Sequence, residues 1–105
     1  MNTLVSYLVQ RLPEGLAYPD ARQLCLQLFC NVDGMPSELQ PVCSRAGLAD
    51  AFADLGKRGW IREAGSHAME SRHWAEVISS IFKQGPDVVD LSRGNSLARM
   101  AGLFL

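Results

Sequence analysis

Five side chains in this sequence belong to the types that bind metals or act as nucleophiles and bases. They are Cys25, Cys30, Cys43, His67 and His73. Zinc sites are usually marked by closely spaced ligand pairs, typically two cysteines separated by two residues. No such cysteine pair occurs here, and Cys25 lies inside an apolar helical pattern. We therefore expect no metal site and interpret the thiols as small apolar residues of the core.

The same residues do not form a recognisable catalytic arrangement. Cys30 with His67 or His73 would supply a nucleophile and a base, but no spacing in the sequence brings them together. The sequence also has no glycine-rich phosphate loop, no nucleophile elbow and no familiar pair of catalytic carboxylates. We predict that the chain is not an enzyme and that it needs no cofactor.

The composition is that of one small globular domain over residues 1–105. The 105 residues are 48% hydrophobic, enough for one modest core. Lys and Arg together number 10 and Asp and Glu 11, so the formal net charge is −1. Such a chain has no long-range field that would attract a phosphate backbone, and nucleic-acid binding would need a local basic patch.

The distribution of apolar residues and cysteines predicts a cytoplasmic protein. No stretch approaches the roughly 20 apolar residues that cross a bilayer, and no membrane contact is expected. The N-terminal apolar run lacks a basic leader and a small-residue cleavage site, so it is not expected to be a signal peptide. An odd number of cysteines favours reduced thiols in a reducing compartment.

The clearest helical pattern lies at residues 48–58. The apolar side chains at i, i+4 and i+7 are Leu48, Phe52 and Leu55. Lys57 and Arg58 occupy the last turn, where cations suit the negative end of the helix dipole. Gly59 is expected to end the helix.

Directly after this helix, Trp60 and Ile61 predict a strand over residues 60–63. A turn over residues 64–67 and a short return strand within 69–74 would complete a β-hairpin. This order resembles the third helix and the first wing strand of winged helix-turn-helix domains. The resemblance spans about residues 19–82. It implies a mainly α-helical, winged-helix-like domain with a small β-hairpin, and the sequence adds a flanking helix at each end.

Pro41 leaves two interpretations open for the segment before this helix. In the first, a short helix near residues 37–43 leads through a turn at 44–47 into the 48–58 helix, as in a helix-turn-helix. In the second, Pro41 begins one long helix that continues to Arg58. We favour the first, because Gly47 lies where such a turn would need a glycine.

Four other helices are predicted from apolar periodicity and capping residues. The first covers residues 3–12, with Asn2 or Thr3 as its cap, and the second begins near Pro19. Ser71 is expected to cap a third, and the last covers about residues 96–105. Their apolar positions are Leu4, Leu8 and Leu12; Ala21, Leu24, Cys25, Leu28 and Phe29; Trp74, Val77, Ile78, Ile81 and Phe82; and Leu97, Met100, Ala101 and Phe104.

On a winged-helix scaffold, the 48–58 helix would present one face to a partner. Its expected outward positions are Ala49, Asp50, Ala53, Asp54 and Lys57. Two carboxylates and two alanines are poorly suited to reading a DNA groove. Phosphate contacts would have to come from basic residues in the turn and the wing. Those candidates are Arg45, Lys57, Arg58, Arg62 and Arg72.

These observations favour a small regulatory or adaptor protein that acts by binding another protein through the 48–58 helix. The alternative is a DNA-binding transcriptional regulator that uses the turn and the wing. The apolar terminal helices would either complete the core of the monomer or pair with a second copy in a homodimer.

Overall fold

The computed structural model describes residues 2–62, 69–85 and 91–103, with the backbone alone for residues 91–95. Within these ranges the chain is mainly α-helical, with two short parallel strands, which confirms the predicted fold class at this level. The helices are α1 (Thr3–Val9), α2 (Tyr18–Cys30), α3 (Arg45–Lys57), α4 (Ser71–Gln84) and α5 (Leu91–Met100), and the strands are β1 (Leu16–Ala17) and β2 (Ile61–Arg62). No described helix is both long and apolar enough to span a membrane.

Helix α1 begins where the sequence predicts and ends earlier. The Asn2 side-chain oxygen accepts a hydrogen bond from the Leu4 amide at 2.7 Å, which is the expected N-cap. The helix ends at Val9, whereas the periodicity predicts residues 3–12. Pro13 explains the difference, because its ring would clash with the carbonyl four residues earlier and disfavours helical backbone at the preceding residue. Leu12 is nevertheless buried.

Helix α2 lies at the centre of the molecule. Pro19 occupies its first turn, as predicted. The helix contacts α3, α4, α5 and both strands. It is therefore buried around much of its circumference, and even the Gln27 side chain is only 3% exposed. Phe29, predicted to be a core residue, is only partly buried.

The segment before α3 differs from both interpretations of Pro41. Instead of a helix at 37–43, the chain forms two 3₁₀ turns, Val32–Gly34 and Gln40–Val42. Pro41 lies at the start of the second turn, where its missing amide costs no helical hydrogen bond. Ser44 then adopts an extended conformation and its hydroxyl caps α3 by accepting from the Gly47 amide. The predicted turn at 44–47 is therefore the N-cap and first turn of α3.

Gly47 is important for packing, and not for the turn that the sequence predicts. A Cβ atom at this position would lie 2.2 Å from the Val42 carbonyl oxygen. The absence of a side chain lets the 3₁₀ turn pass directly against the first turn of α3. This close approach sets where α3 begins.

The predicted strand after Gly59 exists, but its partner is different. β2 pairs in parallel with β1, with Leu16 opposite Ile61 and Ala17 opposite Arg62. The predicted return strand is wrong, because residues 69 and 70 form a bend and α4 begins at Ser71. The predicted turn at 64–67 lies outside the described residues. A two-residue strand carries no sequence signal that identifies its partner. Here β2 pairs with β1, and the whole of α2 and α3 lies between the two strands in the chain.

The two C-terminal helices follow the predicted apolar pattern except at Phe82 and Met100, which are exposed, and both helices start at other residues than predicted. Glu70 occupies the N-cap of α4 in place of Ser71, with no side-chain cap bond. Helix α5 begins at Leu91, several residues before the predicted start at 96. Its buried side chains include Leu97 and Ala98, and Ala101 directly after the helix is also buried, whereas Phe104 lies outside the described residues.

The role of Gly47 predicts a position-specific cost of adding one methyl group. Gly47→Ala should lower the free energy of unfolding by about 1–3 kcal/mol, because the methyl meets a backbone carbonyl that moves only with the chain. Gly56→Ala is the matched control in the same helix. There the added atom meets the flexible end of Met69, and alanine gains about 1 kcal/mol of helix propensity. Urea unfolding of both variants measures the difference, and an equal loss would contradict this assignment.

Candidate functional site

The predicted partner-binding face of α3 is largely inside the protein. Ala49 is 3% exposed and Ala53 is 1% exposed, although both are predicted to point outward. Asp50 and Lys57 are exposed, and Asp54 is partly exposed. The prediction is therefore wrong for the two alanines, and a narrow polar edge remains at Asp50, Asp54 and Lys57.

Helix α4 packs lengthwise against α3, the helix that carries these alanines. Arg45 at the start of α3 contacts Ser79 and Phe82 near the end of α4, while Gly56 at the other end approaches Met69 just before α4. The two helices therefore run antiparallel. Phe52 and Trp74 meet between these ends, with ring centroids 5.2 Å apart.

Small residues explain why this contact is close. Ala49, Ala53 and Gly56 lie at i, i+4 and i+7 of α3, on one stripe, and all three are buried. Small side chains on such a stripe let a second helix approach closely. Alanines on a helix face suit contact with another protein and contact within the chain equally well, so the sequence does not distinguish the two. In this chain the neighbour is α4.

The basic residues proposed for DNA contact do not form one group. Arg45 and Lys57 lie at opposite ends of α3, about 18 Å apart along the axis at 1.5 Å per residue. Arg58 pairs with Asp54 at 3.0 Å, and Arg72 lies 3.9 Å from Glu76. Lys57 and Arg62 make no ion pair with another described residue. Arg45 is thus separated from the other four candidates, which belong to the end of α3, β2 and the start of α4, and two of those four lie beside carboxylates.

The candidate metal and nucleophile residues are dispersed. Cys25 and Cys43 are buried and Cys30 is exposed, and none of the three forms a disulfide. The Cys43 thiol lies 3.4 Å from the Met35 sulfur. In the described part of the chain, no three His, Cys, Asp or Glu side chains are grouped to hold a metal ion. His67 lies outside the described residues.

Burial disfavours the thiolate form at every cysteine. It raises the pKa of Cys43 from 9.0 to about 11. It also raises the pKa of Cys25, with a further contribution from nearby Cys43. The pKa of the exposed Cys30 is likewise raised by partial desolvation. None of the three has the lowered pKa that is typical of a catalytic thiol.

His73 forms part of an aromatic cluster between α2 and α4. The Tyr18 hydroxyl shares a hydrogen bond with His73 Nε2, and both rings lie near Trp74. Partial burial raises the pKa of the Tyr18 phenol, despite nearby Arg22. The buried Trp74 indole nitrogen has no hydrogen-bond partner among the described residues. These contacts give His73 a role in joining the two helices, and no cysteine is among its partners in the described residues.

Phe82 is a distinctive feature of the described surface that the apolar pattern does not predict. It was predicted to be buried with the α4 stripe, yet 64% of it is exposed. The four preceding apolar positions on α4 already cover the side that faces the core, and Phe82 falls at the edge of that side. Its edge position beside Lys83 and Gln84 is the sequence signal that would have identified it.

Two neighbouring side chains hold the Phe82 ring. The Phe29 ring meets it edge-on, with centroids 5.6 Å apart, and the Arg45 guanidinium carbon lies 5.0 Å from its centre. Arg45 in turn donates a hydrogen bond to the Ser79 hydroxyl. We call Phe29, Arg45 and Phe82 the Phe82 patch. Among the described residues, the other large apolar side chain with high exposure is Met100, at 58%.

No protein-family model matches the chain, and comparison with curated proteins and with solved structures likewise finds no match. The winged-helix resemblance therefore stays a prediction.

The thiol environments predict an order of chemical reactivity. N-ethylmaleimide should modify Cys30 first in the native protein, because Cys25 and Cys43 become accessible only when the core opens. Mass spectrometry of peptides at successive times measures the order, and labelling in denaturant provides the control in which all three react. Native labelling of Cys25 as fast as Cys30 would contradict the assigned core.

The raised pKa of Cys43 predicts a loss of stability at alkaline pH. The unfolded state releases the thiol proton near pH 9.0 and the folded state near pH 11. The contribution of this group is therefore complete below pH 9.0 and is lost as the pH rises towards 11. Urea unfolding across this range should show a smaller alkaline loss for Cys43→Ala than for the wild type. Parallel curves for the two proteins would count against a buried thiol at this position.

Proposed function

We propose that this chain is a small adaptor that acts by binding another protein, with the Phe82 patch as its contact surface. The observation that supports the proposal is the exposure of an aromatic ring that is held in place by two neighbours. Aromatic residues and arginine are enriched among the residues that contribute most to protein–protein binding. The proposal moves the partner-binding surface from the middle of α3 to the place where α2, α3 and α4 meet.

The arrangement of the patch favours binding, because the Phe82 side chain has little conformational freedom left to lose when a partner binds. Ordering a mobile side chain at an interface costs about 0.5–1.5 kcal/mol. Phe82 already packs against Phe29 and Arg45, so much of that ordering takes place during folding. A partner that buries the ring removes its apolar surface from water, which stabilises the complex by about 25 cal/mol per Å² of that surface.

The terminal helices offer less for a homodimer than the sequence predicts. Leu4, Val5 and Leu8 of α1 are fully buried within the chain, as are Ala98 and Ala101 near the C-terminus. Among the described side chains of these helices, Met100 is the large apolar one that is exposed, so a dimer through them would rely on it. We therefore propose that the partner is a different protein and not a second copy of this chain. A cytoplasmic, regulatory setting is part of the same proposal, and the three unpaired cysteines support its cytoplasmic part.

Site-specific photo-crosslinking tests this proposal. A benzophenone amino acid would replace Phe82 in one variant and Met100 in a matched control, since both residues are large, apolar and exposed. After irradiation in cells that naturally produce the chain, the variant at position 82 should give a discrete protein adduct that the variant at 100 does not give.

Competition strengthens the test. Excess unlabelled wild-type chain should suppress the adduct, whereas excess Phe82→Ser should not. An adduct pattern identical at positions 82 and 100, or unaffected by the competitor, would argue against the proposed surface. A nucleic-acid adduct at position 82 would favour the alternative function as a DNA-binding regulator.

A further inference from the structure

We infer that the partner segment bound by the Phe82 patch carries an acidic side chain next to an apolar anchor. This inference rests on the proposed function and specifies the chemistry of the partner. It follows from the charges around the ring.

Arg45 is positioned to receive a carboxylate. Its side chain is exposed and donates one hydrogen bond to Ser79 Oγ, while its guanidinium packs over Phe82. It forms no ion pair with any carboxylate in the described ranges. A guanidinium has five N–H donors in a rigid fork, so donors remain for a bidentate contact with a carboxylate.

Lys83 adds a second positive charge. It follows Phe82 in the chain, is exposed and likewise has no ion pair with a described residue. The helix ends add little to this potential, because the start of α3 and the end of α4 lie side by side with opposite dipoles. The charge at the patch is therefore set by the two cationic side chains.

An open groove runs along α4 near the patch, although Phe29, Arg45 and Phe82 are not among its described lining residues. Its volume is about 410 Å³, and both Ser79 and Lys83 contribute to its lining. Glu76 is the carboxylate among its described lining residues, and it lies 3.9 Å from Arg72. The part of the groove nearest to Phe82 therefore presents Lys83 without an opposing carboxylate. A short peptide segment would extend from the ring into this groove.

Charge complementarity also distinguishes this partner from a second copy of the chain. A two-fold contact through the patch would bring Arg45 and Lys83 of one copy close to the same residues of the other. Like charges that face each other oppose such a contact. A nucleic-acid duplex would satisfy the cations, but its phosphate surface would give the exposed Phe82 ring no apolar contact. An acidic segment with an apolar anchor satisfies both features.

Phage display tests the inference. The full chain is immobilised, and binders are selected from a random peptide library displayed on phage. Each enriched peptide is then assayed on Phe82→Ser, and Met100→Ser serves as the control for loss of an exposed apolar side chain elsewhere. We expect the retained peptides to combine an aromatic or aliphatic residue with Asp or Glu within one helical turn or a few extended residues.

Fluorescence anisotropy then isolates the charge contribution. Each selected peptide is compared with a version whose Asp and Glu are changed to Asn and Gln, and neutralisation should weaken binding about two- to fivefold, less at high salt. With Arg45→Met and Lys83→Met together, the acidic and neutral peptides should bind equally. Methionine retains an apolar side chain beside Phe82, and thermal unfolding verifies that each variant is folded.

The outcomes separate the inference from the proposed function. Peptides that need Phe82 but show no preference for acidic residues would overturn the inference and leave the adaptor proposal intact. Enriched peptides that bind Phe82→Ser as well as wild type, or no enrichment at all, would overturn both. A dimer seen by sedimentation and lost in Phe82→Ser, or duplex DNA binding lost in the double methionine variant, would overturn the inference by assigning the patch to another occupant.

Discussion

The close antiparallel contact between α3 and α4 is the constraint on which the rest of the structure depends. It is possible because α3 presents Ala49, Ala53 and Gly56 along one stripe, where larger side chains would separate the helices. Between the two helix ends, Phe52 meets Trp74 and joins this contact to the main core. With α4 on one side and α1, α2 and β2 also in contact, α3 becomes a central helix with only a narrow polar edge in solvent.

This central position has a direct consequence for function. A helix whose small-residue face is already covered cannot present that face to DNA or to a protein partner. The same packing places Arg45 of α3 beside Phe82 of α4, and α2 supplies Phe29, whose ring meets Phe82 edge-on. The helix packing that buries the predicted binding face therefore also forms the surface that we propose for partner binding.

The helices were the most predictable part of the fold, because each depends on residues within a few turns. The apolar repeats located α2, α3 and α4, and Asn2 marked the start of α1. The region around Pro41 was less predictable. The conformation of this region depends on the capping of α3 by Ser44 and on the close approach of Val42 to Gly47. The second is a contact between two separate segments of the chain. Strand pairing failed for the same reason, since β2 pairs with residues more than 40 positions earlier.

By itself the sequence determined that this chain is mainly helical, where most of its helices lie and which side of each helix is apolar, since periodicity and capping are local properties. Only the tertiary structure decided which small residues are covered, which strand β2 joins and which aromatic ring stays in solvent. Alanine fits a core and an interface equally well, and an apolar residue at the edge of a helical stripe is buried only if a neighbouring element reaches it. In this chain neighbouring elements bury Ala49 and Ala53, and nothing in the described structure covers most of Phe82.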